Sequence, residues 1–164
     1  MYFFIATILI ALDQATKLWA TSTLPLGGPE WHIWWAFHFT YVRNSGAAFG
    51  ILQDSTIYLA LLSALVSVAL VVYMLRSAKF LPHVQRFALS LVLAGAVGNM
   101  IDRFRLGYVI DFIHFRLPNF NFPVFNIADS AVVVGAGLLL LHSFWMDFSR
   151  KSRAEAVALR EDAE

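Results

Sequence analysis

The chain has 164 residues, of which 59% are hydrophobic and 14% charged, with a mean hydropathy of +0.66. Soluble domains are typically about 45–50% apolar and about 25% charged, so this composition predicts an integral membrane protein without a separate soluble catalytic domain. A formal net charge of +1 and the lack of cysteine exclude an electrostatic case for nucleic-acid binding, disulfides, thiolate metal sites and a cysteine nucleophile.

The first apolar run is long enough to span a membrane only if it continues past Leu12 to about residue 20. That continuation carries Asp13 and Lys17, which are four residues apart on one face of a helix and can pair with each other or with a neighbouring helix. We interpret them as a structural polar contact. A cleaved signal peptide is the competing interpretation, but no basic segment precedes the apolar run.

After turn residues between Pro25 and Pro29, aromatic residues and other side chains alternate from Trp31 to Val42. This period of two predicts a single β-strand. Because so many aromatic residues adjoin membrane spans, we expect a sheet that lies at the membrane interface. The small residues of the following segment, 44–50, permit tight turns and a close approach of the backbone.

Three further apolar runs complete a set of four predicted spans in one membrane domain, 1–164, with a polar tail from about residue 147. The four spans are about residues 2–20, 56–75, 87–101 and 128–146. An even number of spans places both termini on one side. The basic loop 76–86 and the basic cluster 150–153 make that side cytoplasmic by the positive-inside rule, so the strand and the segment 102–126 face outward.

Asp111 and Asp129 each lie where an outward segment meets a span, so folding can bring both to the outer mouth of the bundle. Two carboxylates held close together cannot both ionise cheaply, and they then share one proton. The ionised member can take a proton from water while the protonated member donates to a carbonyl oxygen and later to a leaving amine. This is the chemistry of an aspartic peptidase. In the alternative interpretation Asp129, like Asn126, only caps the last helix.

Other polar residues lie near the same predicted mouth. We expect Asp102 and Arg103 to form an ion pair at the end of the third helix, and the adjacent guanidinium would make Asp102 a poor proton donor. Arg103 is therefore a structural or substrate-orienting candidate. The amides of Asn44, Asn99 and Asn126 could together hold the backbone of an extended peptide.

A metal site is suggested by His32, His38 and His114 together with Asp111. In a strand, however, a separation of three places His114 and Asp111 on opposite faces. No zinc-binding motif is present in the sequence, and the serines lack a base at any known serine-hydrolase spacing. We therefore predict neither a metal nor another cofactor.

Five motifs in order resemble the bacterial lipoprotein signal peptidases, the signal peptidase II family of aspartic membrane peptidases. They are Asp13–Lys17, Asn44–Gly50, Gly98–Arg103, Val109–Ile113 and Phe125–Ser130. Each motif is weak alone, but five in order on four hydrophobic spans are specific. The sequence departs from the family pattern at Ala94, where the first of two glycines is usual, and at Ile110, where Val is common.

The resemblance implies that Asp111 and Asp129 are the catalytic aspartates. It also implies a fold of four transmembrane helices with a small extracytoplasmic β-cradle and a mobile outward segment. We expect the protein to be a monomer that is surrounded by lipids in the bacterial inner membrane. The substrate would be a prolipoprotein whose lipobox cysteine carries diacylglycerol, and the enzyme would cleave it just before that cysteine. Globomycin-type peptides would inhibit the enzyme. The residues that would line or support the pocket are Asn44, Asn99, Asp102, Arg103, Asn126 and Ala128.

Two functions of other classes stay open. A small proton-coupled transporter could use Asp13, Lys17, Asp111 and Asp129 as a relay, which requires polar residues along a crossing path. In this sequence they cluster toward one side of the predicted bundle. A structural subunit would use its charges to assemble with a partner, and would tolerate Asp→Asn where hydrogen bonding survives.

Overall fold

The computed structural model describes residues 1–46 and 55–161, with side chains in these ranges up to Ser152. Within them, four helices are long and apolar enough to cross a membrane, which confirms the predicted fold class. The shortest has 21 residues, or about 31 Å at ~1.5 Å per residue, close to the ~30 Å of a bilayer's hydrocarbon core. The helices are α1 (Tyr2–Thr23), α2 (Thr56–Arg76), α3 (His83–Leu106) and α4 (Ile127–Glu161).

Two helices, α3 and α4, extend furthest beyond their predicted spans. α3 begins at residue 83 rather than 87 and ends at residue 106 rather than 101, so Asp102 and Arg103 lie inside a helix and not in the outward segment. It stops at Gly107, whose N–H donates to the carbonyl of Arg103 and whose left-handed φ of 80° then turns the chain out of the helix. α4 continues through the polar tail, because helical hydrogen bonding does not need apolar side chains once the chain leaves the bilayer.

The described strands form one antiparallel sheet in the order β1-β2-β3-β4. The strands are β1 (Trp31–Trp34), β2 (Phe37–Asn44), β3 (Val109–Leu117) and β4 (Phe120–Asn121). The single strand predicted from Trp31 to Val42 is wrong, because the chain reverses at Trp35, which has a φ of 50°. The alternation of side chains runs through this turn without a glycine or proline, so the pattern alone conceals it.

α3 is the central helix of the bundle, with 50% of its span buried. A Cβ atom added at Gly98 would lie 2.7 Å from Oδ2 of Asp13 and 3.1 Å from Cβ of Ala128, and one at Gly95 would collide with the Ala128 carbonyl. The absence of side chains at these two glycines lets α1 and α4 approach α3 closely, as small residues do in membrane bundles.

An apolar cluster fixes the sheet against the end of α1. Ala20 and Leu24 of α1 pack with Tyr41 of β2 and with Ile110 and Phe112 of β3, and all five are buried. Since Ile110 and Phe112 flank Asp111 and point to the side that α1 covers, this cluster holds that part of β3 at the end of the helical bundle.

Candidate active site

Asp111 and Asp129 come together because the start of α4 pairs with β3. The backbone of Phe125 exchanges hydrogen bonds with Ile113 at 2.8 and 2.9 Å, which places the first turn of α4 beside the strand. Asp111 is the third residue of β3 and is only 2% exposed, and Asp129 lies in the first turn of α4.

The first turn of α4 is closed by a reciprocal cap. Asn126 Oδ1 accepts the N–H of Asp129 at 2.8 Å, and Asp129 Oδ2 accepts the N–H of Asn126 at 3.2 Å. This is a capping-box arrangement, with asparagine and aspartate in the two roles. The capping alternative for both residues is thus present in the structure, and it fixes the Asp129 carboxylate rather than excluding a second role.

Three asparagines orient the two carboxylates. Asn126 Nδ2 donates to Oδ1 of Asp111 at 2.7 Å, and Asn44 Nδ2 donates to Oδ2 of Asp111 at 2.9 Å. Asn44 reaches it because it pairs with Val109 in the β2–β3 register, which makes Asp111 its diagonal neighbour on the same face. Asn99 Nδ2 donates to Oδ1 of Asp129 at 2.7 Å. All four carboxylate oxygens therefore accept an N–H group.

Burial and the neighbouring charge of Asp129 raise the pKa of Asp111 to about 7. The hydrogen bonds from Asn44 and Asn126 oppose this rise, because they favour the ionised carboxylate. A carboxyl group with this pKa is partly protonated near neutral pH. The pair can therefore hold one shared proton, as the chemistry of an aspartic peptidase requires.

A buried lysine behind the aspartates joins two helices. Lys17 is 1% exposed, and its Nζ lies 2.9 Å from Oδ2 of Asp13, 2.9 Å from Oδ2 of Asp102 and 2.9 Å from Oδ1 of Asn99. The expected contact between Asp13 and Lys17 is therefore present. The expected ion pair between Asp102 and Arg103 is not found among the described residues, because consecutive side chains on a helix point in different directions.

The same cluster anchors the two elements that carry the aspartates. Oδ1 of Asp13 accepts the N–H of Ala128 at 2.9 Å, which satisfies a free donor in the first turn of α4. Oδ2 of Asp102 accepts the N–H of Ile110 at 3.2 Å, next to Asp111 on β3. Gln14, for which we predicted no role, donates to Oδ1 of Asp102 at 2.9 Å. Its spacing of three from Lys17 places both on one helix face, a signal that could have identified it.

Arg103 lies beside the acidic groups without bonding to Asp102. Its Nη2 donates to the carbonyl of Gly46 at 3.1 Å, and its charge interacts with the carboxylates of Asp129 and Asp111. Its Nε is buried without a hydrogen-bond partner among the described residues. The rest of the motif that begins at Asn44, residues 47–50, lies outside the described residues.

The histidines lie away from the aspartates. His114 Nδ1 is 2.6 Å from Oε1 of Glu30, and its Nε2 is 2.5 Å from Oδ1 of Asn121, on the face of β3 opposite Asp111. Burial raises the pKa of Glu30, but the hydrogen bond to His114 and the charges of His114, Arg116 and His38 together hold that pKa below its ordinary value. Across residues 1–46 and 55–152, no group of three or more potential ligands could hold a metal ion.

Comparisons with known proteins agree on one family. The family model for signal peptidase (SPase) II matches residues 5–145. The lipoprotein signal peptidase of Brevibacillus brevis is 45% identical over 143 residues, covering 87% of this chain and 94% of that protein. The lipoprotein signal peptidase of Synechocystis is 44% identical, covering 87% of this chain and 86% of that protein.

A solved structure resembles the whole fold. It is that of a bacterial membrane enzyme determined by the in meso method at 2.3 Å resolution. It is 33% identical to this chain, with a TM-score of 0.82, and the likeness covers 92% of this chain and 90% of that one.

Proposed function

The chain belongs to the signal peptidase II family of aspartic peptidases, and on this premise we propose that Asp111 and Asp129 are the catalytic pair with which it removes signal peptides from prolipoproteins. The observation that carries this assignment is the position of Asn126. Its side-chain Nδ2 donates to Oδ1 of Asp111 at 2.7 Å and its backbone N–H donates to Oδ2 of Asp129 at 3.2 Å, so one residue contacts both carboxyl groups.

The shared proton gives each aspartate a function in the reaction. The ionised carboxylate takes a proton from a water molecule as the water oxygen attacks the scissile carbonyl, while the protonated carboxyl donates its proton to the carbonyl oxygen. The tetrahedral diol then breaks its C–N bond as the nitrogen receives a proton from one carboxyl and a diol hydroxyl returns one to the other. The pair again holds one proton at the end of the cycle.

The surrounding residues support this pair in different ways. Asn44, Asn99 and Asn126 fix the orientation of the carboxylates through the hydrogen bonds given above. Arg103 orients the peptide beside the pair, and direct contact of the asparagines with substrate stays a prediction.

Four more residues hold the helices that carry the site. Asp13, Lys17 and Asp102 tie α1 to α3 and to the elements carrying the two aspartates. Ala128 is small enough to let α4 lie against Gly98 of α3.

The finer substrate assignment is a prolipoprotein already modified with diacylglycerol and cut just before the modified cysteine. It is supported by the depth of the aspartates, which lie where α3 ends and α4 begins, the level at which a signal helix would leave the bilayer. The acyl chains can then stay in the lipid between the helices. Globomycin-type peptides are the expected inhibitors, and we expect a monomer surrounded by membrane lipids.

The site is expected to face outward from the bacterial inner membrane, with both termini in the cytoplasm. Tyr2 Oη lies 2.5 Å from Nδ1 of His83, so α1 and α3 start at the same end of the bundle, opposite the aspartates. The basic loop between α2 and α3 lies at that end too, and the positive-inside rule makes it cytoplasmic.

The proton-coupled transporter is not supported, since the relatives found are signal peptidases. The residues proposed for a relay also gather near the start of α4, since Asp13 contacts both Lys17 and the backbone N–H of Ala128, next to Asp129.

The proposed function can be tested with purified enzyme in lipid nanodiscs and two versions of one prolipoprotein, with and without diacylglycerol on the cysteine. We expect cleavage of the modified form only, and mass spectrometry should show a product that begins at the modified cysteine. The double variant Asp111→Asn/Asp129→Asn controls for contaminating peptidases. Equal cleavage of the unmodified form, or a cut elsewhere, would contradict the substrate assignment.

A further inference from the structure

A cavity of about 300 Å³ lies at the same end of the bundle as the aspartates but outside the proposed catalytic site. It is bounded by the last turns of α1 and α3 and by the adjoining parts of β2 and β3, and neither Asp111 nor Asp129 lines it. Ligand pockets in proteins typically measure ~300–1,000 Å³, so this cavity suits a small polar group better than a peptide. The proposed peptidase reaction therefore leaves this cavity without an assigned function.

Two arginines in the cavity wall are free to bind an anion. Arg43 and Arg105 are both exposed, and neither forms an ion pair within the described residues. The one acid in the wall, Asp102, is already bonded to Lys17 at 2.9 Å, to Gln14 at 2.9 Å and to a backbone N–H. The cavity therefore presents an excess of positive charge.

Both guanidinium groups are held in place by neutral partners. Arg43 lies over the ring of Tyr108, 4.8 Å from its centroid, and its Nε donates to Oη of Tyr41 at 3.2 Å. Arg105 Nη1 is 3.5 Å from Oε1 of Gln14. These contacts occupy few of the five N–H donors on each arginine, so forked donors remain for a ligand. Forked N–H donors match the oxygens of a phosphate group better than the single ammonium of lysine does.

The wall of the cavity also includes exposed apolar side chains. Leu18 is 62% exposed and Leu106 is 39% exposed, and both line the cavity near the ends of their helices. A membrane protein presents such side chains to acyl chains, whereas arginines at the end of a span lie at the level of the lipid headgroups. Because Leu18 comes before the end of α1 and Leu106 adjoins Arg105 at the end of α3, the cationic groups lie next to apolar surface, which matches a phospholipid better than a free phosphate ion.

We propose that this cavity, lined by Arg43, Arg105, Tyr41 and Tyr108, binds the phosphate of a membrane phospholipid, with the lipid's acyl chains against Leu18 and Leu106. The ligand class is a phosphodiester headgroup carrying two acyl chains. This lipid site does not depend on the catalytic assignment, because its residues and its ligand are different.

The lipid site can be tested by thermal unfolding of the full chain in a phosphate-free maltoside detergent, because a ligand that binds only the folded state raises the unfolding temperature. The probe is dihexanoylphosphatidylglycerol, compared with dihexanoylglycerol and with inorganic phosphate at the same concentrations. We expect a concentration-dependent rise with the phospholipid and little with the other two. An equal rise with inorganic phosphate would overturn the lipid assignment, and an equal rise with dihexanoylglycerol would overturn the phosphate assignment.

Variants locate the effect. Arg43→Gln/Arg105→Gln should bind the phospholipid about tenfold or more weakly, because the double substitution removes both sources of charge-assisted hydrogen bonds to the phosphate. Arg76→Gln/Lys79→Gln removes the same charge at the opposite end of the bundle and should respond as the wild type does. If the first variant does not fold, Thr21→Trp places a bulky side chain in the cavity wall with both arginines kept and should also abolish the response. A wild-type response in either cavity variant would overturn the proposal.

Discussion

Removal of the Asn126 side chain should change how the catalytic pair holds its proton. In Asn126→Ala, Asp111 loses the donor at 2.7 Å that favours its ionised form, and Asp129 loses the cap on its backbone N–H. A hydrogen bond to a charged group contributes ~1.5–3 kcal/mol and one pKa unit equals ~1.36 kcal/mol, so the pKa of Asp111 should rise further above its value of about 7 by about one to two units.

The pH dependence of kcat/KM on a diacylated prolipoprotein measures this change. Activity requires one proton on the pair, so the alkaline limb of the profile reports loss of the last proton. We expect that limb to move to higher pH in Asn126→Ala by the amount given above. The exposed turn residue Asn119 provides the matched control, and Asn119→Ala should leave the limb in place.

The position of a pH limb does not depend on how much enzyme is folded, which separates this effect from lost stability. Loss of the cap alone should lower the free energy of unfolding by about 0.5–2 kcal/mol. An alkaline limb that stays in place, or moves to lower pH, in an active Asn126→Ala enzyme would refute the reasoning about Asp111.

Three further outcomes follow from the helix contacts and the histidines. Lys17→Met leaves Asp13 and Asp102 buried without their shared cation and should cost about 3–5 kcal/mol in unfolding free energy, whereas Lys79→Met should cost little. An equal effect of the two substitutions on detergent-solubilised protein would contradict a stabilising role for Lys17. Gly98→Ala introduces a Cβ 2.7 Å from Asp13 and should cost about 1–3 kcal/mol, whereas Gly137→Ala, with nothing within 4 Å, should be neutral or stabilising in the same unfolding assay. Treatment with EDTA should leave the cleavage rate unchanged, and lost activity that returns with added metal would revive a site at the histidines.

The sequence predicted those features of the fold that depend on local composition and spacing. Four long apolar runs predicted four spans, because span length and composition can be read along the chain. Asp111 and Asp129 were predicted to meet because each lies at the junction of a span with an outward segment. The structure brings them together through the pairing of Phe125 with Ile113.

Features that depend on long-range contacts could not be predicted in the same way. The partner of Asp102 is Lys17, 85 positions away in the chain, and only packing of α1 against α3 brings the two together. The turn at Trp35 does not interrupt the alternating pattern. A tryptophan adopts the left-handed backbone conformation there, so no glycine marks the turn in the sequence. Asn126 contacts both aspartates only because β3 and the start of α4 meet in the fold. Asn126 and Asp111 are fifteen positions apart in the sequence, so local spacing does not predict their contact.

Turnover of a diacylated prolipoprotein by Asp111→Asn and Asp129→Asn, each purified and reconstituted in lipid, tests the catalytic pair most directly. Each single variant removes an essential proton-carrying group, so each should lose about a hundredfold or more in rate, whereas Asp147→Asn, on the exposed part of α4, should cleave as the wild type does. Turnover close to the wild-type rate in either Asp111→Asn or Asp129→Asn would contradict the assignment of the two aspartates as the catalytic pair.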